Sequence, residues 1–224
     1  MTADIHAQGR LARFGPTDGG ARRAAIGLHG RGAGAEDMGG LVADLGFPDV
    51  AVFAPEAAGR TWWPTSFLAP SAQMEPFVTS ALAAVDRAVA AAEAEGYRAA
   101  DTVLLGFSQG GCLALEYAAR RGVPFAAVFG LSGGLIGTAD DDGPATDALY
   151  GHHPKRFDYD AALAGLPVRI SVHAQDPHIP AQRARESAAV LAAMGAQVDL
   201  DVAPGAMHGL VEADVVRLRA AFNA

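Results

Sequence analysis

One cysteine, Cys112, is all the thiol that this 224-residue sequence contains. An intrachain disulfide framework and a cysteine-cluster metal site are thereby excluded. Cations are also scarce: 17 lysines and arginines stand against 25 aspartates and glutamates, a formal charge of −8. That balance argues against a nucleic-acid-binding surface. Long apolar runs are missing too. The start, "MTADIHAQGRLARFG", has no apolar core of a secretory signal, and the Ala-rich "SALAAVDRAVAAAEAEG" is interrupted by Asp86 and Arg87 and is too short to span a bilayer. The expected setting is the cytoplasm, without stable membrane association. No HExxH-type spacing occurs. His152 and His153 beside Asp140, Asp141 and Asp142 form the one metal-like grouping, but adjacent histidines point apart in most conformations. A solvated acidic loop is the preferred reading there, and no metal is expected.

What the sequence does have is alternation. Half of its residues are hydrophobic, and they fall into short runs separated by helical patterns. The strand candidates are 24–29, 50–55, 102–107, 125–132, 168–174 and 197–203. Helices are expected at about 36–45, 75–96, 109–121, 181–194 and 209–222. Continuous runs such as "TVLL" suit strands covered on both faces, and the alternation implies a parallel sheet with right-handed crossovers. One doubly wound α/β domain spanning 1–224 accounts for this, with two long irregular stretches, 56–74 and about 133–166, of the length that is usually functional or mobile. Cys112 is expected in the core.

Within "LLGFSQGG", Gly106, Ser108 and Gly110 fit G-x-S-x-G between a strand and a helix. Serine at such a turn is forced into a strained backbone conformation, with small neighbours letting adjacent segments pass. A hydroxyl is a weak nucleophile and needs a base, which needs an orienting acid. His208 follows the last strand candidate and precedes the last helix. Asp176 ends the strand before it, in a turn stiffened by Pro177 and Pro180. The rivals are worse placed: His6 in an unstructured start, His29 ahead of Ser108, His173 within a strand, His178 where the acid belongs. Glu212 and Asp214 are the next acids to consider, while Asp199 and Asp201 share what is expected to be a solvated strand face. Acyl transfer also needs oxyanion donors. The backbone N–H groups of Gln109, at a helix start, and Arg31, in the glycine-rich "GLHGRGAGAED", are the candidates. That loop also fits a dinucleotide-binding turn through Gly30, Gly32 and Ala35, with Glu56 as its acid, at the cost of leaving Ser108, Asp176 and His208 to coincidence.

With "LHGRGA", "GFSQGG", "LSGGL", "DPHIP" and "MHGL" in that order, the chain resembles the phospholipase/carboxylesterase branch of the α/β-hydrolases, from about Ile26 to Phe222. The resemblance implies Ser108 as nucleophile, Asp176 and His208 as its partners, Arg31 and Gln109 as oxyanion amides, and esterase activity without metal or organic cofactor. Arg31 departs from the apolar residue usual in the family's thioesterases, which argues against a lipid-like acyl groove. Trp62, Trp63, Phe67 and Met207 are expected to line a substrate pocket for short- to medium-chain esters. An acyl thioesterase, a lysophospholipase and a catalytically silent binding module are the alternatives. The expected partner is a small-molecule ester, with a second copy of the chain in a homodimer as the only protein partner considered.

Overall fold

The computed structural model describes residues 4–17, 20–141 and 153–223. Seven strands form one sheet in the order β1-β3-β2-β4-β5-β6-β7. They are β1 (Leu11–Phe14), β2 (Ala24–Leu28), β3 (Ala51–Pro55), β4 (Thr102–Phe107), β5 (Ala127–Leu131), β6 (Pro167–His173) and β7 (Gln197–Ala203). Every pairing is parallel except that of β1 with β3. The helices are α1 (Ala35–Asp44), α2 (Ser71–Ala94), α3 (Gln109–Arg121), α4 (Ala181–Ala193) and α5 (Glu212–Asn223). No helix among the described residues is long and apolar enough to cross a membrane.

The apolar runs are buried on both faces because side chains alternate along a strand. Ile26, Leu104, Val128 and Ile170 join the core under α2, α3 and α4. Their neighbours Ala25, Val103, Leu105 and Phe129 join a second core under α1 and α5. This arrangement brings the C-terminal ends of β4, β6 and β7 to one edge of the sheet, which positions the site described below.

Several elements differ from their expected bounds, for reasons outside their own sequence. The sequence offers no strand candidate before residue 24 and places His6 in an unstructured start. Instead Leu11–Phe14 pair antiparallel with β3, and His6 is buried, its backbone N–H donating to Ser80 Oγ at 2.9 Å. Helix α2 begins at Ser71, not 75. Its first N–H groups find acceptors in the distant 138–140 segment: Ser71 N–H donates to the Thr138 carbonyl at 3.1 Å and Ala72 N–H to Asp140 Oδ1 at 2.6 Å. Strand β5 stops at Leu131 because Ser132 adopts φ +44°. Residues 209–211 precede α5 instead of opening it, and Ser132 Oγ donates to the Gly209 carbonyl at 3.0 Å.

Asp199 and Asp201 are not a free solvated pair. Both form 3.0 Å ion pairs with the buried Arg169. The same guanidinium donates to Asp214, which also accepts from Ser171 Oγ at 2.8 Å and from Val211 N–H at 2.9 Å. Asp214 is thus fully buried and occupied in anchoring α5 to the sheet. It is not available to orient His208. His152 and Asp142 lie outside the described residues, among which no three His, Cys, Asp or Glu side chains are grouped to hold a metal ion.

Candidate active site

Ser108 sits between β4 and α3 with φ +55° and ψ −118°, a conformation that side chains rarely adopt. Three local features hold it there. Its N–H donates to the Leu131 carbonyl at 2.8 Å, and its carbonyl accepts from Cys112 N–H at 2.9 Å. The flanking glycines allow the close passage: a Cβ at Gly106 would lie 2.0 Å from the Gly110 carbonyl oxygen, and one at Gly110 would lie 2.0 Å from that of Leu28. The G-x-S-x-G spacing is therefore a steric requirement of the turn.

Ser108 Oγ lies 2.8 Å from His208 Nε2. On the other side of the ring, Nδ1 is 2.8 Å from Asp176 Oδ2 and 3.1 Å from Oδ1. An ionised carboxylate can only accept, so Nδ1 carries the proton and Nε2 is free to accept from the serine hydroxyl. Asp176 has its own support: Oδ1 accepts from the N–H groups of His178 at 2.8 Å and Ile179 at 2.9 Å. The carboxylate is buried, so its interaction with the ring is little weakened by water. Phe107 and His178 pack their rings against His208, with centroids 5.2 and 4.8 Å away.

A cavity of about 640 Å³ opens over Ser108. Gly30, Arg31, Ala33 and residues 63–67 line it together with Phe107, Gln109, residues 177–179 and His208. The backbone N–H groups of Arg31 and Gln109 have no acceptor among the described residues. Gln109 occupies the first position of α3, where an N–H has no intrahelical partner and the helix dipole favours negative charge.

The pocket loop shows what sequence reasoning misread and missed. Trp63 and Phe67 line the cavity, but Trp62 and Met207 do not. Trp62 is fully buried because its indole is held from three sides. Its Nε1–H donates to the His29 carbonyl at 2.9 Å, and the rings of His6 and His29 pack against it at 5.3 and 5.1 Å. Met207 is 65% exposed to solvent. The Gln109 side chain has a role that no sequence motif signals. Its Oε1 accepts from Trp62 N–H at 2.9 Å, and its Nε2 donates to the Trp63 carbonyl at 2.8 Å. One residue thus ties the pocket loop to the turn that carries Ser108. Glu56 meets Ala35 N–H at 3.3 Å and Arg10, so the acid of the dinucleotide alternative is occupied with the helix start and a salt bridge.

The two buried histidines act as neutral hydrogen-bonding groups. His29 Nε2 accepts from Ala57 N–H at 3.0 Å and His6 Nδ1 from Ala58 N–H at 3.1 Å, so each ring has one bare nitrogen. Burial pushes both below the ordinary histidine range. An unfolded chain takes up protons on these rings near pH 6.5, while the folded chain resists. Their stabilisation is therefore complete above that pH and is lost as pH falls below it. Each ring contributes a slope of up to about 1.4 kcal/mol per pH unit. Urea unfolding should show stability dropping between pH 7 and 5.5, with a shallower drop in His6→Asn. A flat profile in the wild type would contradict the neutral assignment.

A mostly parallel sheet wrapped by helices, with a strained serine after a central strand and an acid and a histidine following later strands, is the α/β-hydrolase fold. The family model for phospholipase/carboxylesterase proteins matches residues 49–142. A phospholipase/carboxylesterase structure from Dyadobacter fermentans is 33% identical, covers 96% of this chain and 97% of its own, and superposes with a TM-score of 0.82. The chain belongs to the phospholipase/carboxylesterase family. The fold is shared more widely, with esterase PE8 (21% identity, 95% and 96% coverage, TM-score 0.63) and a Bacillus cereus carboxylesterase (15%, 97% and 94%, TM-score 0.66). No functionally curated protein matches the sequence.

Proposed function

We propose that the protein is a serine carboxylesterase that hydrolyses short- to medium-chain carboxylic esters through an acyl-enzyme. The observation that carries this reading is the unbroken relay from Ser108 Oγ through His208 to Asp176, with both links at 2.8 Å, at the base of an open cavity. Ser108 Oγ attacks the ester carbonyl while His208 Nε2 takes its proton. The N–H groups of Arg31 and Gln109 hold the oxyanion of the tetrahedral intermediate. Collapse expels the alkoxide, which leaves with the proton from His208. Water, activated by the same nitrogen, then hydrolyses the acyl-Ser108 ester and regenerates the hydroxyl. Every step uses this chain's own groups.

Substrate size follows from the cavity. Trp63 and Phe67 give it a stiff aromatic wall, because each ring has only two side-chain torsions. Each methylene that fits should gain about 0.8 kcal/mol, or roughly fourfold in kcat/KM, until the wall ends. A series of 4-nitrophenyl esters from acetate to palmitate should show a rise and then a plateau at medium length. Phe67→Ala or Trp63→Ala should flatten the rise. A steady climb to palmitate, with both variants unchanged, would contradict the pocket assignment. Running matched acyl thioesters beside the oxygen esters tests the bond type; thioesters turned over far faster would favour a thioesterase.

A further inference from the structure

Among the described residues, Arg31 is the one side chain of fixed charge that lines the cavity. Its guanidinium is held in place: Nη1 donates to the Pro64 carbonyl at 3.0 Å and Nη2 to that of Thr65. Guanidinium carries five N–H donors, so those two bonds leave three unspent. No carboxylate among the described residues pairs with it. The two acids nearest in sequence are engaged elsewhere, Glu36 with Arg10 and Asp37 with the Gly34 N–H, and Glu56 also pairs with Arg10. The residue is exposed at the same time. Arg22, Arg23, Arg60, Arg185 and Arg219 likewise have no carboxylate partner among the described residues, but of these six arginines Arg31 alone lines the active-site cavity.

The surroundings reinforce its sign. The N-terminus of α3 meets the cavity at Gln109, and α4 begins two residues after Ile179, another lining residue. Both helix starts favour negative charge. Asp176 is buried behind His208 and does not line the cavity.

Resting on the esterase reading above, we infer that the preferred substrate is an ester carrying a second, ionised carboxylate, which docks on the Arg31 guanidinium. Planar guanidinium matches carboxylate geometry with two parallel N–H donors. Because two carbonyls already fix its orientation, little side-chain freedom is lost on binding. Arg31 would thus act twice, its backbone N–H toward the oxyanion and its side chain toward the remote charge.

The test compares 4-nitrophenyl hexanoate with the mono-4-nitrophenyl ester of adipic acid, two six-carbon acyl groups that differ in the terminal carboxylate. The readout is the ratio of their kcat/KM values within each variant, so that changes in shared chemistry cancel. Wild type should favour the anionic ester by about tenfold to hundredfold, the range of a charge-assisted hydrogen bond. The preference should shrink with added salt and vanish in Arg31→Gln, while Arg31→Lys keeps part of it. Calorimetric titration with adipate itself gives a reading independent of turnover: wild type should bind it at least about tenfold more tightly than Arg31→Gln does. Equal ratios and equal adipate affinities in the two proteins would overturn the inference and leave Arg31 as a loop clamp. Loss of turnover of both esters, with adipate affinity still set by Arg31, would instead sink the esterase reading alone.

Discussion

Replacing Ser108 by alanine is expected to lower kcat for ester hydrolysis by about 10⁴- to 10⁶-fold, the scale seen when a triad nucleophile is removed. The fold should survive. Ala keeps the backbone bonds of the turn to Leu131 and from Cys112, and the lost hydroxyl has His208 as its side-chain partner. His208→Ala should cost a comparable factor, since without Nε2 nothing accepts the serine proton as attack begins. The double variant should lose little more than either single one, because the two groups act as a unit. What remains should be the modest rate that the oxyanion donors and binding supply. If the two losses multiplied, one residue would be acting outside the relay. Steady-state kinetics on the three variants, with thermal unfolding as a folding control, makes the distinction.

The second large effect is expected for Asp176→Asn, about 10³- to 10⁴-fold in kcat with the turn intact. Asp176 does two jobs with two oxygens. Oδ1 accepts the N–H groups of His178 and Ile179, and Oδ2 is the closer to His208 Nδ1, at 2.8 Å. An asparagine can keep its oxygen on the two amides, which turns its NH₂ toward the imidazole. A donor facing Nδ1 selects the tautomer with the proton on Nε2, so the ring can no longer accept from Ser108. Stability should change little, and acyl-enzyme formation should slow. Full activity in this variant would mean that another group orients His208. Asp214 is no candidate for that role, since Arg169, Ser171 and Val211 occupy it.

How much of this was legible in the residues depended on whether the cause was local. Strands β2, β4 and β5 announced themselves because burial on both faces leaves a continuous apolar run that no exposed segment would keep. The serine, acid and histidine were readable because each follows its strand at the sheet edge where the site must lie, and the glycines around Ser108 are demanded by contacts within the turn itself. Strand β1 was not readable: four residues with one buried side chain carry almost no periodic signal, and their strand character comes from pairing with β3 forty residues on. The early start of α2 had the same kind of cause, its N–H groups being met by Thr138 and Asp140.

The aromatic loop failed in a different way. Trp62 and Trp63 are neighbours of identical chemistry, and nothing in "TWWP" says which faces the cavity. His6 and His29, one assigned to an unstructured start and the other passed over because it precedes Ser108, decide it by enclosing Trp62. Gln109 hid its second task because its backbone had already been given one.

The account stands on Ser108 being the atom that carries the acyl group, and covalent labelling tests that most directly. An active-serine fluorophosphonate should modify the wild-type protein once, and peptide mass mapping should place the adduct on Ser108 within "GFSQGG". Labelling should be abolished in Ser108→Ala and slowed sharply in His208→Ala, because the reagent reports the activated hydroxyl. An adduct on any other residue, or wild-type protein that turns over esters yet resists the reagent, would contradict it.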